Sequence, residues 1–93
     1  MIIGILQFQL RIADSRSLKE KRMVLKSIKD KLRQRFNISV AEIGDQDLWQ
    51  SIRLGVAAIG SDKRYLNGLL SEVQSWIEHN HEVELVASQM EFL

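Results

Sequence analysis

An α+β fold is what this sequence predicts: four antiparallel strands in the order 4-1-3-2, with two helices on one face of the sheet. Three observations lead there. Residues 3–12 alternate between apolar and polar, whereas residues 18–36 and 62–79 repeat their apolar residues at helical spacing. Two further apolar runs, 37–43 and 48–59, are separated only by a turn-like tetrapeptide, so the elements follow as βαββαβ. The length of 93 residues, 45% of them hydrophobic and 27% charged, suits one domain over residues 1–93 with a single core.

In the first strand Leu6, Phe8, Leu10 and Ile12 fall on one side, and Gln7, Gln9 and Arg11 on the other. The segment "ADSR" ends that alternation. Ser17 followed by Glu20 fits a capping box, and the helix it opens should run to about Arg35. Leu18, Leu25, Ile28, Leu32 and Phe36 form the apolar face of this helix. The strands at 37–43 and 48–59 flank "GDQD", whose Gly and Asp residues suit a tight hairpin turn. In the longer strand Leu48, Ile52, Leu54, Val56 and Ala58 read as core, and Trp49, Ser51, Arg53, Gly55 and Ala57 as the opposite face. Ser61 is the expected cap of a second helix over 62–79, striped by Tyr65, Leu66, Leu69, Val73, Trp76 and Ile77. A last strand occupies about 82–92. Both helices must cover the one apolar sheet face, and right-handed crossovers then produce the ferredoxin-like arrangement.

Several kinds of chemistry drop out. The chain has no cysteine, which removes disulfides and thiolate catalysis, and no proline or low-complexity linker. Its longest weakly polar run, "MIIGILQFQL", is about half of what a membrane-spanning helix needs and lacks the features of a signal peptide. A cytoplasmic protein with no membrane partner is expected. Glu42, Asp45 and Asp47 cluster around the hairpin, but Asp and Gly are what such turns use in any case. His79 and His81 lie two apart, the wrong spacing for a helical metal site, and a cation at a helix C-terminus explains them more simply. No catalytic triad or phosphate-cradling glycine motif can be assembled. The expectation is no enzyme, no catalytic residue, no metal and no cofactor. Gly4, Gly55 and Gly68 fall inside elements, where close backbone approach is the usual reason.

The charge is distributed unevenly. Net charge is only +1, yet residues 11–35 carry ten Lys/Arg against three acids, while residues 36–93 carry three against nine. Lys19, Arg22, Lys26, Lys29 and Arg33 are spaced 3, 4, 3, 4 and share one helix flank over roughly 21 Å, with Glu20 and Asp30 set off it. Like charges so placed oppose helix formation, and an anionic polymer would explain them: phosphates meet evenly spaced cations and release counterions. The plainer explanation is a solvated face, or one neutralised by acids elsewhere in the fold or in a neighbouring subunit. Lipid headgroups fit less well, because the apolar side of this helix is needed for the core. The helix-free sheet face should present Gln7, Gln9, Arg11, Ser39, Ala41, Ser51 and Arg53, with Trp49 near the hairpin. It lacks the stacking aromatics of an RNA-recognition motif on its central strands, so Arg11, Trp49 and Arg53 are its only candidate contacts. Hairpin packing is the simpler reading of Trp49, and base stacking the other.

"RSLKEKR" (16–22), "FNISVAE" (36–42), "DLWQ" (47–50) and "LG" (54–55) together resemble, in order and spacing, the YlxP-like family of small bacterial proteins. The resemblance spans essentially the whole chain. It implies a ferredoxin-like domain of unassigned function, with genes often near those for translation initiation and ribosome maturation, and it offers no catalytic residues. It draws attention to Ser17, Lys19, Glu20, Lys21 and Arg22, and to Phe36, Asn37, Glu42, Asp47, Trp49 and Gln50. Lys21 points toward the apolar side of the first helical turn, where its stem can lie on the core and its amine pair with a carboxylate such as Glu42. The expected function is a non-enzymatic RNA-binding, ribosome-associated domain that contacts phosphates through Lys19, Arg22, Lys26, Lys29 and Arg33. The rival is a homo-oligomeric interaction module without a nucleic-acid role. A homodimer through the free sheet face or the 37–43 edge is expected in addition.

Overall fold

In the computed structural model, which describes residues 1–93, the chain runs β1 (Ile2–Arg11), α1 (Leu18–Arg35), β2 (Ser39–Gly44), β3 (Ser51–Gly60), α2 (Lys63–Glu78) and β4 (Glu84–Phe92). The sheet order is β2-β3-β1-β4 with every neighbouring pair antiparallel, so the predicted ferredoxin-like α+β fold is the observed one. Leu6, Phe8 and Leu10 of β1 and Ile52, Leu54 and Val56 of β3 are buried against Leu25, Ile28 and Leu32 of α1 and Leu66, Leu70, Val73 and Ile77 of α2. The period-2 and period-3.6 stripes thus meet in one core. At the far end of the sheet Ile3 and Leu93 exchange backbone hydrogen bonds of 3.1 and 2.8 Å, which pairs the two ends of the chain.

Ser17 caps α1 through its side chain, which accepts from the Glu20 N–H at 3.1 Å. The Glu20 carboxylate reaches back one residue further than in a standard capping box, accepting from the Arg16 N–H at 2.6 Å. Asp62, not Ser61, caps α2, accepting from the Arg64 N–H at 3.0 Å. Both residue types cap well, and the one whose oxygen reaches the second helical N–H takes the role. Tyr65 is exposed while Leu70 is fully buried, because Leu66, Leu70, Val73 and Ile77 at 4-3-4 spacing follow the core and Tyr65 lies one step around the helix.

The largest departure is the connection between β2 and β3. β3 begins at Ser51, so Leu48 and Trp49 belong to a loop, each 52% exposed, rather than to core and sheet face. Asp45 adopts a left-handed backbone (φ 56°), and its carbonyl accepts from the Leu48 N–H at 3.0 Å. The Gln50 carbonyl meanwhile accepts from the Ile12 N–H at 2.9 Å. These bonds draw residues 45–50 toward the β1–α1 connection, which replaces the short hairpin with a wider turn. Ile43 forms a bulge just before it. A Cβ built on Gly4 would lie 2.8 Å from Leu70 Cδ1, and one on Gly55 would lie 2.8 Å from Ile43 Cγ2. Close approach therefore explains those two glycines. It does not explain Gly68, which has no such neighbour within 4 Å.

Candidate nucleic-acid interface

Lys21 leaves α1 on its inner side, and its side chain is 1% exposed. Its stem lies in the core while Nζ sits 3.0 Å from Glu42 Oε2 of β2 and donates to the Asp45 carbonyl. The pairing with Glu42 follows the sequence expectation; the bond to the loop backbone had no sequence signal. Asp45 is held in turn by its own carboxylate, which accepts from Ser51 Oγ at 2.6 Å and lies 3.4 Å from Arg53 Nε. Gln50 Nε2 donates to the Ala13 and Ser15 carbonyls at 3.4 and 3.3 Å. Loop 45–50 is therefore tied to the first turn of α1 and to the segment before it. Glu42, Asp45 and Asp47 are not brought together: the first faces Lys21, the second faces Ser51 and Arg53, and the third is exposed. His79 ends α2 with Nδ1 2.7 Å from the Ser75 carbonyl, the position expected for a group at a helix C-terminus.

Along the outer flank of α1, Lys19, Arg22, Lys26 and Arg33 are exposed and Lys29 is half-buried. Asp30, four residues after Lys26 and three before Arg33, lies beside this row. Lys26 Nζ donates to Asp30 Oδ2 at 2.7 Å, and Arg33 Nη1 lies 4.0 Å from Oδ1. The hydrogen bond from Lys26, reinforced by the charges of Lys26, Arg33 and Lys29, holds the Asp30 carboxyl below its ordinary pKa of 3.8. Arg33 also donates through Nη2 to the Val40 carbonyl at 2.9 Å. Two of the five cations are thus partly engaged by the protein itself. Lys19, Arg22 and Lys29 have no carboxylate within 4.0 Å. Lys31, off the row, approaches Glu82 at 3.9 Å.

The helix-free sheet face divides in two. Arg11, Gln9 and Arg53 lie at the end nearest loop 45–50, where strand register sets Glu84 of β4 beside Arg11; Glu91 stands on the same face at the other end, beside Ile5. The other half is mostly apolar: Ile5, Ala41, Ile43, Gly55 and Ala57, with Gln7 and Ser39 among them, line a shallow depression of about 370 Å³, with the exposed Ile59 beyond it. Ile3, Ile5 and Ile59 simply continue the odd-numbered alternation, but "MIIGIL" is apolar on both sides, which hid the second face.

Residues 3–90 match the family described as "Protein of unknown function (DUF503)". The chain is also similar to the "Uncharacterized protein YlxP" of Bacillus subtilis (strain 168), with 37% identity over 91 residues that cover 98% of this chain and 99% of that protein.

Proposed function

Starting from a chain that belongs to the DUF503 family, whose description assigns no function, we propose that it is a non-enzymatic, ribosome-associated cytoplasmic module that grips the phosphate backbone of structured RNA through α1. One observation carries this reading. The flank of α1 gathers five cations, and the only carboxylate within 4.0 Å of any of them is Asp30, on the same helix. Acids elsewhere in the fold do not neutralise the row, so its positive field faces outward over roughly 21 Å.

Fluorescence anisotropy with a structured RNA across a salt series tests it. Replacing Lys19, Arg22 or Lys29 singly by Gln should weaken binding about equally for all sequences and shallow the logarithmic salt slope by about 0.7–0.9. Replacing Lys26 or Arg33 should do less, because Asp30 already shares their charge. A fivefold Gln variant that binds as tightly as the parent ends this reading. Capture of ribosomal particles from lysate, lost on nuclease treatment, is the expected result for the ribosome association.

The apolar half of the free sheet face favours a second, compatible reading, in which two copies of the chain meet there. Ile5, Ile43 and Ile59 present apolar surface that a protein with one small core gains by covering.

A further inference from the structure

We infer that Trp49 is a stacking platform for an unpaired nucleotide, so that the RNA recognised is a helix carrying a loop or bulge and not a uniform duplex; this inference rests on the RNA reading above. Trp49 is 52% exposed on a loop that is anything but loose. Lys21 and the Leu48 N–H both bond the Asp45 carbonyl, Ser51 bonds the Asp45 carboxylate, and Gln50 is fixed at both its backbone and its side chain. A large aromatic held in the open by a pre-ordered loop loses little further freedom on binding, which is what a base-stacking surface requires.

Position selects the ligand. The Lys21 bond fastens this loop to the inner side of the first turn of α1, and the exposed Lys19 and Arg22 begin the basic row on the outer flank of the same turn. An exposed aromatic on a loop fastened to the helical turn where a track of cations begins can stack a single-stranded nucleotide whose neighbours are gripped through their phosphates. The exposed Asp47 disfavours a phosphate on the loop itself, so the base meets Trp49 while its phosphates turn toward α1. Lys21 acts here as a positioning residue: its amine is buried and touches only protein.

Two RNAs of equal length, one a hairpin with an unpaired loop and one fully paired, are titrated against the full chain. The parent should prefer the hairpin. Trp49→Ala should lose about 5- to 150-fold on the hairpin, the range of aromatic–base stacking, with duplex affinity unchanged. Trp49→Phe should retain most of the hairpin affinity. In a Trp76→Phe background Trp49 is the one remaining indole of two, and its fluorescence should quench with the hairpin but not the duplex. If Trp49→Ala binds both RNAs like the parent while the fivefold Gln variant loses both, the platform is wrong and the backbone grip stands. If the parent binds neither RNA, both readings fall. If Trp49→Ala leaves RNA binding intact but dissociates a dimer, Trp49 belongs to a protein interface and the platform is again wrong.

Discussion

Lys21 and Glu42 show what single residues contribute to this fold. A lysine buried to 1% exposure is stable only because Nζ meets a carboxylate and a carbonyl; without them the desolvated charge would be prohibitive. Removing one partner of a buried pair costs about 3–5 kcal/mol, and here loss of Lys21 leaves Glu42 Oε2 buried with nothing to meet it. Lys21→Met should therefore lower unfolding free energy in urea by about 3–5 kcal/mol, and the Lys21→Met/Glu42→Leu double variant should lose less than the sum of the two single changes. Additive losses would mean that the two residues do not act as a pair. This pairing was legible in the sequence, because the angular position of Lys21 left it nowhere to go but the core. The engagement of Asp30 was missed. Its direction lies just outside the basic sector, yet its i,i+4 spacing from Lys26 and i,i+3 spacing to Arg33 were the signal that it would pair with them.

Among the elements, α1 carries both an apolar stripe and a charged one, and Asp30 sets how much of the charge is free. The carboxyl is bound more strongly as an anion, with its pKa below 3.8. A depressed carboxylate contributes stability above the unfolded value, and loses it as pH falls through the lower folded one. That contribution is thus complete at neutral pH and disappears only below about pH 4, and salt screens it because the pair is exposed. Lys26→Gln should move the Asp30 carboxyl back toward its ordinary value in an NMR titration. Asp30→Asn should tighten RNA binding and steepen its salt slope, since it frees Lys26 and Arg33; an unchanged slope would show that the pair does not restrain them. Strands were legible wherever one face is apolar and the other polar, as in Gln7–Leu10. The expectation failed at Leu48 and Trp49, where alternation continues past the true strand start. Bonds from distant residues, Lys21 and Ile12, decide where the chain leaves the sheet, and no local pattern records them.

The molecule as a whole offers two sheet surfaces to a second copy, the β2 edge and the helix-free face. The β2 edge is partly sealed, because Arg33 occupies the Val40 carbonyl and Ile43 bulges out of the ladder. The apolar half of the sheet face has no such cover, so it is the surface on which two copies should meet. Light scattering at micromolar concentration should give a dimer mass that persists in high salt and falls to the monomer on Ala41→Lys; a monomer mass throughout excludes this assembly. Of the residues that define this surface, the sequence placed Ala41, Gly55 and Ala57 on the free face, whereas Ile5, Ile43 and Ile59, in segments apolar on both sides, were passed over. The paired chain ends carry a separate consequence. Ile3 and Leu93 lie at the opposite end of the sheet from loop 45–50, joined by two backbone hydrogen bonds. A donor and an acceptor dye placed on the two termini would begin in near contact, well away from Trp49. Their separation would then report the unzipping of β1 from β4 on a single molecule, with any bound RNA left undisturbed.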